Sequence, residues 1–404
     1  MTTSDSDSGP SILLILSIAQ LFGMSLWFAP NSVVDQLEPI FHLDPHNLTQ
    51  LSISVTIGFV TGGLISTFTN ISDIIEARKV FFISTLFGGL STFLITLANS
   101  FTIILILRFC TGFFIAGIYP VGMKLTSSHY KHQRGLAIGI LLSALTIGSG
   151  LPYLFLLVGI PDWRTVLLLV AILDVIGGLL VFLLVEKGPF LGPSPKFSLQ
   201  AVKTIFSKKS VRLANYGYYG HMWELFAFWV WFPRFLKLSY ETSQNTNSIT
   251  FYALGSFLVF FFGALANTFG GYLSDKFGRT TFNIAMLSIS GLSGLIVGFF
   301  YKNYILVLII GIIWGTTIVP DSPQYSAMIT EVADQNLIGS ALAIQTAIGF
   351  SITIISITLI PIINELVGWT YTFAFLSIGP FLGIISLFLL RREPDAHLIA
   401  NGLM

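Results

Sequence analysis

The chain has 404 residues, of which 54% are hydrophobic and only 10% are charged. Soluble domains have about a quarter of their residues charged, and the mean hydropathy here is +0.83, so we predict a polytopic membrane protein. The formal net charge of +1 gives no reason to expect a nucleic-acid partner. The single cysteine, Cys110, lies in an apolar run, which excludes an intrachain disulfide and predicts an apolar packing role.

Twelve apolar segments in the sequence approach the ~20 residues that a membrane-spanning helix needs. The first ten residues hold Asp5 and Asp7 and no Lys or Arg, so we expect the first segment to stay as a spanning helix rather than act as a cleavable signal peptide. An even number of spans places both termini on the same side of the membrane. The segments are residues 11–34, 49–70, 80–98, 101–125, 135–158, 164–186, 213–237, 249–270, 280–300, 303–328, 337–363 and 368–390.

The distribution of Lys and Arg over the loops predicts which side that is. One set of alternate loops holds basic clusters, whereas the other set offers only Arg164, Arg234, Lys237 and Lys302. Because basic residues collect in cytoplasmic loops, both termini are predicted to be cytoplasmic. The clusters are Arg78 and Lys79; Lys124, Lys131 and Arg134; Lys187, Lys196, Lys203, Lys208, Lys209 and Arg212; Lys276 and Arg279; and Arg391 and Arg392.

Three sequence markers recur in the two halves of the chain at similar spacing, which predicts a six-plus-six duplication of helices. The marker pairs are Asp73 and Asp275, Ile118-Tyr119-Pro120 and Ile318-Val319-Pro320, and Trp163 and Trp369, which lie 202, 200 and 206 residues apart. We therefore predict a cytoplasmic tail at 1–10, a six-helix bundle at 11–186, a cytoplasmic linker at 187–212, a second six-helix bundle at 213–390 and a cytoplasmic tail at 391–404.

The sequence GGYLSDKFGRT at 270–280 places Asp275, Lys276 and Arg279 between two apolar segments. Charges this dense are not tolerated in hydrocarbon, so we predict a tight aqueous turn between two membrane helices. The stretch resembles the signature loop G-x-L-x-D-x-x-G-R of the major facilitator superfamily. That resemblance implies an all-α polytopic fold of twelve transmembrane helices in two pseudo-symmetric six-helix bundles. It also implies a secondary transporter that works by alternating access.

The first-half copy of this loop, ISDIIEARK, keeps Asp73 and Arg78 but has Glu76 where the second glycine is expected. In the superfamily these loops hold the cytoplasmic ends of the two halves together in the outward-open state. The resemblance therefore implies a gating role for Asp275 and Arg279, and for Asp73 and Arg78 in the degenerate copy. The alternative is that these charges only fix the orientation of the chain.

The fourth segment contains RFCTGFFIAGIYP at 108–120, which is similar to the R-x-x-x-G-x-x-x-G pattern of the same superfamily. An arginine at membrane depth costs at least ~2.5–3.5 kcal/mol, so we expect Arg108 to face a wet cavity or a carboxylate. In proton-coupled members the corresponding arginine is linked to coupling, which implies a substrate or proton role. The alternative is an arginine that snorkels to the outer face.

The seventh segment, ANYGYYGHMWELFAFWVWF, carries His221 and Glu224 three residues apart on one helical face. No cation lies in this stretch, so we expect Glu224 to be either protonated or paired across a cavity. Histidine adds a group that titrates near neutrality. We predict that the two residues form the proton or substrate-charge site. The alternative is a polar pair that only satisfies neighbouring helices.

Weaker candidates come from the superfamily geometry, in which helices 1, 4, 7 and 10 line the translocation path. Asp321 lies nearer the predicted cytoplasmic end of the tenth segment and has gating as an alternative role. Pro320 and Pro323 favour a bend there. The fifth segment reads IGSGLP and lacks the Gly-Pro pair of superfamily antiporters. The remaining candidates are Trp27, Asn31, Tyr119, Trp223, Trp314, Gln324 and Gln345.

We therefore predict a secondary active transporter of a small polar solute, with an organic anion or zwitterion favoured, coupled to protons by symport. The alternatives are a proton-antiport exporter of a metabolite or drug and, in a different class, a membrane receptor or scaffold that transports nothing. The stretches GMSLWF, GIYPVGMK and GHMWEL loosely resemble bacterial nitrate, nitrite and cyanate transporters, which implies the bacterial inner membrane. We expect the solute, protons and the bilayer as partners of a monomer, with no nucleic acid, enzymatic activity, catalytic residue, metal site or cofactor.

Overall fold

A computed structural model describes residues 7–159, 162–190, 206–244, 249–334 and 337–403, apart from the side chains of Pro45, Ser72 and Asp73. All regular secondary structure in these residues is helical, which confirms the all-α prediction. The chain separates into two compact units. Much of the predicted linker at 187–212 lies outside the described residues. The first unit comprises Met1–His42, Ser54–Pro152 and Ile160–Ser194, and the second comprises Leu43–Ile53, Tyr153–Gly159 and Pro195–Met404.

The N-terminal part of the chain forms long apolar helices, and polar side chains fix where two of them begin. The Ser100 hydroxyl and the Asp162 carboxylate each accept from a main-chain amide of the first helical turn, as N-cap residues do. The helices are α1 (Pro10–Ser32), α2 (Val34–Phe41), α3 (Pro45–Thr69), α4 (Ile71–Ile74), α5 (Ala77–Ile95), α6 (Phe101–Ile115), α7 (Tyr119–His129), α8 (Arg134–Leu157) and α9 (Trp163–Leu184).

The C-terminal part continues with a long helix and a second series. Gly278, the second glycine of the signature loop, has a φ of 89°, which glycine adopts without steric cost, and it makes the tight turn that the sequence predicts between α11 and α12. The helices are α10 (Lys209–Gln244), α11 (Ile249–Phe277), α12 (Arg279–Val297), α13 (Tyr304–Ile318), α14 (Ser322–Val332), α15 (Ile338–Val367), α16 (Trp369–Thr372) and α17 (Ile378–Leu390), with short 3₁₀ helices at Gly298–Phe300, Phe373–Ser377 and Pro394–Gly402.

Within the described residues, eleven helical segments are long and apolar enough to cross a membrane. The twelfth predicted span, 213–237, lies inside the continuous 36-residue helix α10. This helix is less hydrophobic than the others because it carries His221, Glu224 and several tyrosines and tryptophans. The least apolar predicted span is therefore the one with the predicted charge site, where polar residues are expected to be functional.

The fourth helix of each half is broken into two segments at the same place. α6 and α13 each contain 15 residues and begin 203 residues apart, at Phe101 and Tyr304. After a short break, α7 and α14 each contain 11 residues and begin at Tyr119 and Ser322, again 203 residues apart. The bend expected in the tenth segment is thus a full break. The first half has the same break, which the sequence analysis did not anticipate.

Proline accounts for the position of both breaks. Pro120 and Pro323 stand at the second position of α7 and α14, where a residue without an N–H is readily accepted because the first turn has no helical acceptor for it. The structural register therefore pairs Pro120 with Pro323. The 200-residue spacing that relates Pro120 to Pro320 in the sequence is a neighbouring coincidence and not the register of the repeat.

The first glycine of the fourth-helix motif allows two helices to approach closely. A Cβ atom added to Gly112 would lie 1.9 Å from the main-chain oxygen of Val55 in α3. In the second unit, a Cβ atom on Gly315 would lie 2.7 Å from the main-chain oxygen of Val259 in α11. Such contacts exclude any side chain and are typical of small residues between membrane helices. Gly112 and Gly315 are also 203 residues apart, so the duplication includes the packing.

Candidate functional site

Arg108 lies on α6 and its side chain is fully buried. Its Nη1 donates to the carbonyl oxygen of Leu26 at 3.0 Å and its Nη2 to that of Trp27 at 2.5 Å. The Leu26 carbonyl would normally accept from the residue four positions later, but that residue is Pro30, which has no N–H. Arg108 therefore replaces a helical hydrogen bond that proline removes. The sequence predicted a wet cavity or a carboxylate around Arg108, and these main-chain carbonyls are a third kind of partner.

Two weaker candidates of the first unit, Trp27 and Tyr119, belong to one aromatic cluster. The ring of Trp27 meets that of Phe59 edge-on with centroids 5.2 Å apart, and Phe59 stacks on Tyr119 at 6.4 Å. Asn31 is buried in the last turn of α1, next to Pro30. Because Trp27 also supplies a carbonyl oxygen to Arg108, the cluster and the arginine act on the same turn of α1.

Glu224 lies on α10 with its side chain fully buried. Its Oε1 accepts from the Ser290 hydroxyl on α12 at 2.6 Å, and its Oε2 accepts from the Trp314 indole N–H on α13 at 3.2 Å. Both donors are neutral, and among the described residues no cation forms an ion pair with Glu224. The structure thus brings together Glu224 and Trp314, both predicted, and adds Ser290, which the sequence analysis missed.

His221 has a different partner from Glu224, although it lies three residues earlier on α10. Its Nδ1 is 2.9 Å from Oδ1 of Asp321, and both side chains are buried, at 0% and 1% exposed. Asp321 lies in the break between α13 and α14. The imidazole is flanked by the rings of Tyr218 and Tyr325, with centroids 5.9 and 6.1 Å away. Asp321, predicted with gating as an alternative role, is therefore the acidic partner of the predicted histidine.

The structure places two further candidates apart from this pair. The Trp223 indole packs on Phe375 with centroids 5.1 Å apart, and its N–H lies 3.4 Å from the Phe375 carbonyl oxygen, so it faces the segment before α17. Gln345 on α15 accepts from the Ser326 hydroxyl at 3.3 Å. Neither contact involves His221 or a carboxyl group.

Arg279 of the signature loop is the centre of a polar network within the second unit. Its Nε lies 3.0 Å from Oε1 of Glu331 on α14, and its Nη1 lies 3.2 Å from Asp275. The Gln324 side-chain oxygen accepts from Arg279 Nη1 at 2.9 Å and from the Ser274 hydroxyl at 2.7 Å. Gln324, predicted as a substrate residue, is therefore a partner of the loop instead. Glu331 is the partner that sequence reasoning missed.

In the degenerate first-half loop, the unexpected Glu76 is itself the partner of the basic residues. Its carboxylate lies 2.7 Å from Nε of Arg78 and 3.7 Å from Nζ of Lys79. Arg78 also reaches the main-chain oxygen of Val185 at 3.5 Å. The side chain of Asp73, the fourth predicted gating residue, lies outside the described residues.

The C-terminal segment is attached to the same end of the second unit as Arg279. The amide of Ala400 donates to Glu331 at 3.2 Å, and Asp395 accepts from the Ser210 hydroxyl at 2.9 Å. That hydrogen bond, together with Lys208 at 3.3 Å, holds the pKa of Asp395 below its ordinary value. Glu331 thus joins the signature loop to the end of the chain.

One buried acid escaped the sequence analysis altogether. Asp174 lies in the middle of α9 and its side chain is 0% exposed. A carboxyl group inside an apolar span is itself a signal of function, so the sequence contained the information. Ser290 and Glu331 carried no such signal, because a serine or a glutamate near a helix end is ordinary.

A comparison with known protein families agrees with the signature loop. The family model described as Major Facilitator Superfamily matches residues 16–267 and 242–402, which together cover nearly the whole chain. The chain belongs to the Major Facilitator Superfamily, and it is an integral membrane protein of the transporter type rather than an enzyme.

A curated relative narrows the comparison. The chain is 24% identical over 236 residues to a probable sulfoacetate transporter, SauU, of Cupriavidus necator. The match covers 53% of this chain and 53% of that protein, so it spans about half the length of the curated relative. The looser likeness to nitrate, nitrite and cyanate transporters remains a feature of the three short sequence stretches.

Proposed function

We propose that this protein moves a small organic anion or zwitterion across a bacterial inner membrane by alternating access, in symport with protons. The observation that carries the proposal is the buried Glu224, whose carboxyl group has two neutral partners, Ser290 and Trp314. A carboxylate buried without a cation is costly. Such a group is stable when it is protonated and ionises when water or a cation reaches it, as a proton carrier must.

The geometry around Ser290 suits both protonation states of Glu224. Its hydroxyl oxygen is 2.6 Å from Glu224 Oε1 and 3.2 Å from the main-chain oxygen of Leu287. When Glu224 is ionised, the hydroxyl donates to the carboxylate. When Glu224 is protonated, the hydroxyl can accept from the acid and donate to the Leu287 carbonyl instead. One side chain therefore stabilises the site before and after the proton moves.

His221 and Asp321 form a second titratable pair on the neighbouring turn. At 2.9 Å the imidazolium and the carboxylate form an ion pair, and loss of one proton leaves a neutral hydrogen-bonded imidazole. The pair is fully buried in the second unit, so its charge state depends on whether water reaches it. We assign the coupled proton to Glu224 and assign to His221 the role of adjusting the local charge.

An anionic solute is supported by Arg108 and by the relative named for sulfoacetate. The two described carbonyl partners of Arg108 are neutral, so they orient the guanidinium without cancelling its charge. A proton that accompanies an anion reduces the charge that crosses the membrane. Where a charge still crosses, ~2.3 kcal/mol per 100 mV is available to drive accumulation.

The loop charges support the orientation and the gate. Because basic residues collect in cytoplasmic loops, we place both termini in the cytoplasm. We assign gating to Arg279 with Asp275, and to Arg78 with Asp73 in the degenerate copy. Within the second unit Arg279 already has Glu331 and Gln324 as partners, so we propose that the gate works through this preformed network.

The test is flux into proteoliposomes that contain the purified protein. Labelled sulfoacetate, acetate, taurine and nitrate are offered with an inward proton gradient, without a gradient and with an outward gradient. Symport predicts accumulation of sulfoacetate or a related anion under the inward gradient only. Accumulation under the outward gradient would indicate the antiport alternative, and saturable binding without flux would indicate the receptor alternative. Equal uptake under all three conditions would remove proton coupling.

A further inference from the structure

Asp174 on α9 is an acidic residue that the proposed mechanism does not use. Its carboxyl oxygens lie against glycines of two other helices: a Cβ atom on Gly23 of α1 would be 3.3 Å from Oδ1, and one on Gly89 of α5 would be 3.4 Å from Oδ2. Among the described residues, no side chain forms a hydrogen bond with either oxygen. Three helices therefore enclose this carboxyl group with main chain and hydrocarbon.

No cation compensates its charge in the described structure. α1 contains no ionisable residue at all. The basic residues of α5 and α9 lie in the first turn of each helix, about ten residues or ~15 Å along the axis from the carboxyl group. Arg108, on the adjacent helix α6, is held by the carbonyl oxygens of α1. The titratable groups on the elements around Asp174 are Arg78, Lys79, Arg108, Lys124, His129 and Arg164, and none forms an ion pair with it within the described residues.

The second unit shows that this helix contact does not need an acid. Gly291 and Pro380 stand 202 and 206 residues after Gly89 and Asp174, the same spacings that relate the two loop aspartates and the two tryptophans. A Cβ atom on Gly291 would lie 2.9 Å from Cβ of Pro380. The equivalent helices therefore pack glycine against a hydrocarbon ring. The carboxyl group of Asp174 adds nothing that packing requires, and burying it ionised would cost several kcal/mol.

We propose that Asp174 is a second proton-binding site of the transport cycle, in addition to Glu224. This inference rests on the proposed proton symport. In the arrangement described here the carboxyl group holds a proton taken from water on the entry side. It releases that proton to water on the other side in a conformation in which α1 moves away from α9. No bond other than the O–H bond forms or breaks.

The first helix is the element that can connect this site to the solute. It places Gly23 against Asp174, and one turn later its Leu26 and Trp27 carbonyls hold Arg108. An anion that attracts the guanidinium weakens its hold on these carbonyls, so α1 is released where it covers the acid. Two protons per cycle also match the two negative charges of a solute with one sulfonate and one carboxylate group, such as sulfoacetate.

The decisive experiment measures proton stoichiometry in proteoliposomes with labelled sulfoacetate as the probe. With the membrane potential clamped at zero, a gradient of one pH unit sustains about tenfold accumulation per coupled proton, because one pH unit equals 1.36 kcal/mol. We expect about 100-fold accumulation for the wild type and about tenfold for Asp174→Asn, with solute exchange unchanged. Equal accumulation in both would overturn the role of Asp174 and leave the proposed function intact. No gradient-driven accumulation in the wild type would overturn both.

A second measurement keeps the inference testable if the variant does not fold. Dicyclohexylcarbodiimide modifies protonated carboxyl groups in apolar surroundings, and mass spectrometry locates the adduct in the wild-type protein. We expect Asp174 to be modified at acidic pH and progressively less as the pH rises. The internal control on the same helix is Asp162, which caps α9 at its exposed end and has its pKa lowered by the Thr165 amide. An unmodified Asp174 at every pH would overturn the proposal.

Discussion

The indole N–H of Trp231 donates to the main-chain oxygen of Ile357 at 3.1 Å, and Ile357 stands four residues before Pro361 in α15. Because proline has no N–H, the carbonyl four residues earlier loses its helical partner. Arg108 meets the Leu26 carbonyl before Pro30 in the same way. Each unit therefore combines a proline inside a spanning helix with a donor from a neighbouring helix, since a bare carbonyl in hydrocarbon is costly.

This relationship predicts that Arg108 and Pro30 are energetically coupled. Arg108→Ala should lower the free energy of unfolding by about 1.5–3 kcal/mol, the range for a hydrogen bond to a charged group. In Pro30→Ala the restored amide can donate to Leu26, so the same arginine substitution should cost about 1 kcal/mol less. Thermal unfolding in detergent of the four proteins of the cycle measures this. Trp231→Phe with Pro361→Ala is the matched cycle in the second unit, and strictly additive costs in both would contradict the explanation.

Arg108 should also distinguish solutes by charge. Arg108→Ala should weaken the apparent affinity for sulfoacetate far more than that for a neutral solute of the same size, because only the anion gains from the guanidinium. Competition of unlabelled solutes against labelled sulfoacetate provides the measurement. The control is Trp231→Phe, which removes a comparable proline-related hydrogen bond without removing a charge. Equal losses for charged and neutral solutes would reduce Arg108 to a purely structural role.

Glu224→Gln should separate transport from coupling. The glutamine keeps the shape of the side chain and cannot release a proton, so accumulation driven by a pH gradient should fall to the level without a gradient while solute exchange continues. Ser290→Ala keeps the acid and removes the hydroxyl that serves both of its protonation states. That variant should remain coupled but be slower. Gradient-driven accumulation by Glu224→Gln would move the coupled proton to the His221–Asp321 pair.

The sequence was sufficient where the signal was a scarce residue and insufficient where it was a partner. Arg108, His221 and Glu224 stood out because charges are rare in spanning helices, and the glycine of the signature loop predicted the turn at Gly278. The partner of Glu224 is a serine 66 residues away, and nothing local distinguishes it from other serines. The partners of Arg108 are main-chain atoms, which no side-chain pattern reveals before the proline four residues later is placed in a helix.

Two acids around Arg279 should contribute unequally to stability. Asp275 is 67% exposed in its side chain and Glu331 only 23%, and solvent weakens the more exposed ion pair. Asp275→Asn should therefore change the free energy of unfolding by no more than about 0.5 kcal/mol. Glu331→Gln should cost about 1.5 kcal/mol and should also speed hydrogen exchange at Ala400, whose amide Glu331 accepts. Equal costs for the two substitutions would contradict the assignment of Glu331 as the main partner.

The N-terminal segment should detach at acidic pH. Asp7 accepts from the main-chain amides of Lys131, His132 and Gln133 at 2.6, 3.1 and 2.9 Å, and these bonds, that of Lys131 first, hold the pKa of Asp7 below its ordinary value of 3.8. A lowered pKa means that the attachment is fully present above pH 3.8 and is lost as the pH falls through the lower value in the folded protein.

Hydrogen exchange measured by mass spectrometry on the peptide that contains residues 131–133 tests this dependence. In the wild type, protection of these amides should fall away as the pH drops below 3.8, after correction for the intrinsic rate. In Asp7→Asn, protection should be lower at neutral pH and should no longer change with acidification, because the neutral amide has no charge to lose. Protection in the variant that equals that of the wild type and varies in the same way with pH would show that another group holds the segment.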